Sequence, residues 1–596
     1  MKITSLLTAT AGCLWLALTA SGAESSGFAA ISVADAQREV SALEQQGTTA
    51  AMWIWTDRYV YQPGETLTLR WTVKPNNDLY PYTTFVYRQN NQTGAKTFLP
   101  GNSSTPVDIT GASAAAGYRI SRLPSVTKGV LVGTGGSVVS SALSIPSELG
   151  MHTAVVELRD YTGTRIIKSS YFKFGVVDGT ETLSGELTTA KTLVRTKAYR
   201  ISGVYRVKGT TLTIESGTII QGEPGSQPAP SALLIARTAT LIANGTRSRP
   251  IIMTSSRPFG QRAPSDWGGL VLLGRARINQ TGGEAPIEGL PDDNDFRYGG
   301  TDDNHNCGVL RYVRVEFAGI VLAANNELNS FTWGGCGRAT VSEYLQSHYG
   351  QDDAFEWFGG SNDGKYLLAT FFRDDGIDWQ NGWTGRVQHA AVLQDPSILS
   401  NKGIEADNWD ANLSATPISN PTLYNLTLIG TGVAAADEAN SAFCVHMRRN
   451  TAGSTNNTLC QNWGNAALRL QDIDLARTSP QFSMNGMLIW NNNRIPNGAA
   501  TITGQMAGDA TAVAFAEGTQ GQGRNFVVAD PRLRSPLELS NPDFRPGFGS
   551  PALGPNWVQP PDDGFFDQWA KWIGAFGEVD WTEEWTMTIL EADMVP

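Results

Sequence analysis

The chain is poor in the residue types that most reactive centres use. It has five Cys, five His and a charged fraction of 17% over 596 residues. No Cys-x-x-Cys occurs, which removes the common zinc-site and thiol-redox patterns. Positive charge is in deficit, with 45 Lys+Arg against 56 Asp+Glu and a net charge of −11. Nucleic acid is therefore excluded as the main partner, because phosphate binding needs a basic surface. Beyond the first residues no apolar run is long enough to cross a bilayer. Against these absences stand a 41% hydrophobic composition and 63 Gly. That is a globular chain, and with abundant Thr, Ser and Asn it points to β structure with many turns.

Residues 1–23 read as an export signal: basic Met1-Lys2, an apolar stretch through Leu14, Leu16 and Leu18, and the small residues Ser21-Gly22-Ala23. A rival reading makes Cys13 a lipid-modified residue. The mature chain is then expected outside the cytoplasm, secreted or on an outer-membrane surface. Its four remaining cysteines form an even set in an oxidising compartment, which predicts two disulfides.

Residues 24–50 predict a linker or short helix. From Trp53 the pattern alternates, as in Glu65-Thr66-Leu67-Thr68-Leu69-Arg70-Trp71 and Ala154-Val155-Val156-Glu157-Leu158. Residues 51–177 predict an immunoglobulin-like β-sandwich. Residues 178–555 carry short β runs separated by Gly, Asn and Asp turns. Residues 556–596 are dense in aromatics, among them Phe566, Trp569, Trp572, Trp581 and Trp585, and predict a cap over the end of the preceding structure.

One repeat is sharp. Tyr344-Leu345…Asp352-Asp353-Ala354-Phe355-Glu356-Trp357 aligns without gaps on Tyr366-Leu367…Asp374-Asp375-Gly376-Ile377-Asp378-Trp379, 22 residues later. Gly403-Ile404-Glu405 continues it, and Phe443 and Leu468 fall in the same pattern. A period of this length is one coil of a parallel β-solenoid, in which equivalent residues stack about 4.8 Å apart. Alternation then sends Phe355, Ile377, Ile404, Phe443 and Leu468 inward and Glu356, Asp378 and Glu405 outward. At about 25 residues per coil, roughly 10–14 coils are expected. Cys307-Gly308 and Cys336-Gly337 lie 29 residues apart, close to one coil, which predicts a Cys307–Cys336 bridge. Cys444 and Cys460 are paired by elimination across a short loop.

Stacked carboxylates repel one another, so the column should hold a hard cation with oxygen ligands, for which Ca²⁺ is the simplest choice. The candidate ligands are Asp353, Glu356, Asp375, Asp378, Glu405 and Asp407. The competing reading is that some of these side chains cap turns. Trp383 and Trp409, read as loop residues, are candidates for stacking on sugar rings, whereas Trp357 and Trp379 face the core by alternation.

The segments Leu212-Thr213-Ile214-Glu215-Ser216-Gly217-Thr218, Trp267-Gly268-Gly269-Leu270, Arg297-Tyr298-Gly299-Gly300, Trp357-Phe358-Gly359-Gly360, Ser419-Asn420-Pro421-Thr422 and Ile573-Gly574-Ala575-Phe576-Gly577, with the Asp-Asp repeats, carry a resemblance. The chain resembles a family of bacterial secreted and outer-membrane right-handed β-helix proteins with a pectate-lyase-like fold, one of them a spirochaete surface lipoprotein. The resemblance implies a right-handed parallel β-helix and a surface or secreted location. It carries no catalytic residues. Among broader fold relatives, polygalacturonases pair Asp-Asp with Gly-His-Gly and Arg-Ile-Lys, and neither tripeptide occurs here. A Ca²⁺-dependent polysaccharide lyase would need a base beside the metal, for which Arg469 is the candidate. The expectation from sequence is a protein that binds an extracellular polysaccharide or an envelope component. A lyase and a structural surface component or adhesin are the alternatives.

Overall fold

In a computed structural model the described residues run from 51 to 594, except 75–82, 99–106, 109–138, 146, 160–165, 225–230, 324–325, 396, 398–401, 433–441 and 494–500. The expected signal, Cys13 and the 24–50 linker lie outside them.

The chain between Thr180 and Val528 winds as a right-handed parallel β-helix with three faces. On the first face, strands such as Thr180–Leu183, Ala198–Ile201, Ile219–Gly222 and Ile251–Ser255 pair in parallel, each one coil from the next. Twelve strands follow one another in this way, giving about twelve coils. The second face stacks ten strands, from Glu186–Leu187 to Ala466–Leu470. The third begins with Lys191–Leu193, Thr211–Ile214 and Thr240–Asn244.

From Gly308 onward the third and first faces share one bent strand. Gly308–Glu316 pairs with Thr240–Asn244 along its first half and with Ile251–Ser255 along its second. The bend is a single residue in the left-handed region, repeated in successive coils at Tyr312, Tyr344, Tyr366, His389, Asn425 and Asn457, with φ between 48° and 59°. β-Branched residues, which tolerate that region worst, are absent from this corner. The corner rings stack at the strand spacing: Tyr312 on Tyr344 at 4.4 Å, Tyr344 on Tyr366 at 4.4 Å, Tyr366 on His389 at 4.8 Å.

Alternation fills the interior as the sequence predicts, with Phe355, Ile377, Ile404 and Leu468 in one buried cluster. Trp357 and Trp379 belong to it, and Trp333 stacks on Trp357 at 4.9 Å. One inward assignment is corrected. Ile404 pairs with Val445, which pairs with Leu468, so Phe443 stands two residues off the column. Phe443 does not face the interior either: Ala442 and Cys444 beside it belong to the buried cluster, while its ring meets that of His446, which points away from the core.

The first face is covered on its outside from both ends of the chain. The N-terminal unit has a three-stranded antiparallel sheet of Ala51–Thr56, Thr66–Lys74 and Val139–Ser144, and a six-stranded sheet around Gly150–Arg159 and Ile166–Val176. Its core residues, Trp55, Tyr59, Phe172 and Phe174, pack in one cluster with Ile219 and Ile252 of the helix. Its immunoglobulin type stays an expectation, since much of 75–138 lies outside the described residues.

The C-terminal segment is not the expected cap. Residues 556–594 run as a strap along the first face. Asn457 donates to the carbonyl of Val558 at 2.7 Å, and Asn425 to that of Trp572 at 2.8 Å. Arg314 donates to the carbonyl of Trp585 at 3.1 Å. Ile573, Ala575 and Phe576 pack on Leu368, Ala391, Ile429 and Leu459. On the later coils the outward positions Leu368, Ala391, Ile429 and Leu459 are apolar and need a cover, which the aromatic segment supplies. The end of the solenoid is instead filled by the short helices Ile502–Gln505 and Ala510–Ala516, with Phe515 stacked on Phe482 at 4.9 Å.

Both predicted disulfides are present. Cys307–Cys336 and Cys444–Cys460 each have a Cα separation of 5.9 Å.

Candidate functional site

The second face places the acidic column. Glu356 pairs with Asp378 and Asp378 with Glu405, in the register the 22- and 27-residue spacings predict. Thr332 precedes them, and His446 and Arg469 follow. These side chains point away from the core, yet all but that of Arg469 are buried. The face is built over on its early coils by the excursion from Leu273 to Cys307, where Ile278, Ile287, Phe296 and Tyr298 pack on Leu234, Val271, Leu273 and Phe358.

The paired aspartates precede the strands and form a second ladder. Asn329 accepts from the amide of Asp353 at 3.2 Å, Asp353 from that of Asp375 at 2.9 Å, and Asp375 from that of Lys402 at 2.7 Å. Each side chain thus satisfies a turn amide one coil further on. The turn-capping reading holds for one oxygen of Asp353 and one of Asp375. Glu356 accepts from the side-chain amides of Asn329 and, at 3.0 Å, Gln380.

The far end of the column has its counter-charge built in. Lys402 Nζ lies 2.7 Å from Glu405, and Arg448 contacts both Glu405 and Asp407. Arg449 adds a contact of 2.6 Å to Asp407. Glu405 and Asp407, two of the expected metal ligands, are therefore already neutralised by the protein. Burial would lower the pKa of Lys402, but Asp375 and Glu405 outweigh it and keep the ammonium charged. His446 is pushed down to about 3 by burial and by Arg448 and Lys402, so it stays neutral.

The near end lacks such partners. Among the described residues no Lys or Arg nitrogen comes within 4.0 Å of Asp352, Asp353, Glu356 or Asp378. Asp378 is 8% exposed, and its Oδ1 is buried without any hydrogen-bond partner. Burial, then neighbouring carboxylates, holds all four well above the usual carboxylate range when no ion is bound. Glu288, from the excursion, is pushed up to about 8 by burial and by Glu327. Oxygens of Asp353, Glu356 and Asp378 lie within 4.8 Å of one another, as do those of Asp352, Asp353 and Asp374, and those of Asp375, Asp378 and Glu405.

The other predicted site residues fall elsewhere. Arg469 is two rungs beyond Glu405 and pairs with Asp509 at 2.8 Å. It is not beside the acidic triads. Trp383 is 0% exposed inside the helix, stacked on Trp357 at 4.6 Å, and its Nε1 donates to the carbonyl of Asn362 at 3.1 Å. It cannot stack on a sugar. After Gly382, at φ 84°, the chain turns the indole back into the coil, which residue type alone does not reveal. Trp409 is half-buried in a turn. Reading the sequence missed Glu288, Asn329, Gln380, Lys402, Arg448 and Arg449. Only Lys402 carried a signal, three residues before Glu405.

Two open clefts, of about 340 and 580 Å³, lie away from the column. The first is lined by Arg237, Arg275, Asp302 and His305, and the second by Leu413, Asn450, Asp472 and Asp474.

Residues 185–525, more than half of the chain, match the family described as the pectate-lyase-like β-helix domain. The chain belongs to this family. A solved structure similar to this β-helix domain protein is the family 28 exopolygalacturonase of Yersinia enterocolitica, at 11% identity and a TM-score of 0.18, covering 73% of this chain and 98% of that one. No curated protein matches. Among the described residues no helix is long and apolar enough to cross a membrane.

Proposed function

We propose that this β-helix protein is secreted or exposed on a bacterial surface, where it binds an extracellular polysaccharide or another envelope component. Calcium sits in its acidic column as a structural ion. The observation that carries the reading is the buried, unpartnered Oδ1 of Asp378 among the carboxylates of Asp353 and Glu356. An uncompensated buried charge is costly, and an oxygen-liganded cation relieves it. An irregular, all-carboxylate set suits calcium better than magnesium, which demands near-ideal octahedral geometry. Two buried disulfides accord with an oxidising compartment.

Binding rather than cleavage is favoured by where the carboxylates lie. Acid–base chemistry on a polymer needs an open groove, and these groups are enclosed. The third face offers half-exposed side chains instead, including Thr213, Ile242, Arg311, Glu343 and Thr422. The test is to pass the full chain, with calcium present, over immobilised acidic and neutral polysaccharides while assaying products. Retention without new chain ends is expected. Unsaturated products absorbing in the ultraviolet would overturn this reading in favour of a lyase. No retention on any polysaccharide would leave a structural surface component.

A further inference from the structure

We infer that the near end of the acidic column is a two-ion site, in which Asp353 bridges one calcium held with Glu356 and Asp378 and a second held with Asp352 and Asp374. The inference rests on the calcium reading above and goes beyond it in number and place. Two triads of carboxylate oxygens meet at Asp353, each compact enough to surround one ion. A carboxylate has two oxygens with about four lone-pair directions. Asp353 spends one direction on the Asp375 amide and has capacity left for two metals.

Each triad contains its own orphan. Asp378 leaves Oδ1 buried and unpartnered. Asp352 is 6% exposed, and among the described residues its carboxylate has neither a hydrogen bond nor a cation within 4.0 Å. One ion seated by Asp378 would satisfy that orphan and leave Asp352 as it is. The five ligand carboxylates carry up to five negative charges, of which a single divalent ion would offset two and a pair four. Further down the column, where Lys402 and Arg448 neutralise Glu405, no additional ion is called for.

The experiment is calorimetric titration of the chelator-treated full chain with calcium chloride. Two ions per chain are expected. Asp352→Asn, close to isosteric, should bind one ion and keep part of the calcium-induced rise in melting temperature. Asp353→Asn, at the bridge, should weaken both. One ion in the wild type overturns the two-ion site while leaving the calcium reading intact, and no binding at millimolar calcium overturns both. Lanthanides supply a readout that needs no variant. Ions sharing a carboxylate lie roughly 4 Å apart, so terbium and europium loaded together should show strong energy transfer. Its absence at full loading would separate the sites and refute the bridge.

Discussion

Replacing Glu591 by Gln would remove one of two negative charges from a buried knot of four. Arg262, enclosed between the rings of Phe259 at 4.1 Å and Phe317 at 4.3 Å, meets Glu591 of the strap at 2.6 Å and Glu316 at 3.7 Å. Arg314 pairs with Glu316 at 2.9 Å, and Tyr59 of the N-terminal unit donates to Glu316 at 2.9 Å. Two guanidinium groups and two carboxylates thus balance where all three parts of the chain meet. Glu591→Gln leaves one uncompensated positive charge with Arg262 and Arg314, whose side chains are 1% exposed. Breaking a buried pair from one side costs about 3–5 kcal/mol. If that cost falls on strap docking, the open population rises on the order of 100-fold or more. Hydrogen exchange reads it directly. The amides of Met587, bonded to Gln346 at 2.7 Å, and Ala575, bonded to Thr427 at 2.8 Å, should lose protection, Met587 first. The double change Arg262→Met, Glu591→Met should recover much of the loss, because an apolar pair needs no counter-charge. Exchange at Met587 unchanged in Glu591→Gln, or a double variant no better than the single one, would refute the charge-balance argument.

Three further predictions follow from single residues. His152 is buried in the N-terminal sheet, with Arg88 at 3.1 Å on one ring nitrogen and the Glu148 carbonyl at 3.0 Å on the other. Burial lowers its pKa from 6.5 to about 4. The unfolded chain therefore takes the proton first, and stability present above pH 6.5 declines as pH falls, by about 2 kcal/mol between pH 6.5 and 5. Denaturant titrations should show this slope in the wild type and a flatter one in His152→Gln. Trp357→Ala should cost about 3–5 kcal/mol by emptying the stack between Trp333 and Trp383, while Trp409→Ala stays within about 0.5 kcal/mol; equal unfolding midpoints would contradict the core assignment. Gly269, at φ 88°, would place a Cβ 2.3 Å from the carbonyl oxygen of Asn329. Gly269→Ala should therefore destabilise by about 1–3 kcal/mol and blunt any calcium response, since Asn329 holds Glu356; unchanged melting with and without calcium would count against it.

The β-helix was legible because strand geometry translates a sequence period directly into stacking. The gapless 22-residue match fixed Glu356 over Asp378, and the Cys-Gly spacing fixed Cys307 near Cys336. Legibility failed where contacts are not periodic. The strap's targets, Asn457, Asn425, Gln346 and Arg262, lie 101 to 329 residues from their partners, and no spacing encodes that. Its aromatics signalled something to cover but not which surface. Trp383 failed for a local reason: a turn residue can still fold its ring into the coil it leaves. At the acidic column the ligand types were readable and the counter-charges were not. Arg448 reaches Glu405 only because His446 stands in register with it, across a stretch of sequence whose length breaks the period.

That difference explains why the lack of counter-charge is confined to one end. In a parallel solenoid, coils of like sequence stack like residues in register, so a carboxylate in one coil meets a carboxylate in the next. The 344–357 and 366–379 segments are the most alike, and they contribute Asp352, Asp353, Glu356 and Asp378, which have no cation of their own. Later coils depart from the repeat, and their departures are cationic or neutral: Lys402 before Glu405, His446 in place of an acid, Arg448 and Arg449 behind it, and Arg469 on the last rung. Sequence divergence has supplied counter-charge where the repeat weakens. Where the repeat is exact in its acids, no Lys or Arg nitrogen among the described residues reaches Asp352, Asp353, Glu356 or Asp378, and that is the charge the proposed pair of divalent cations would offset.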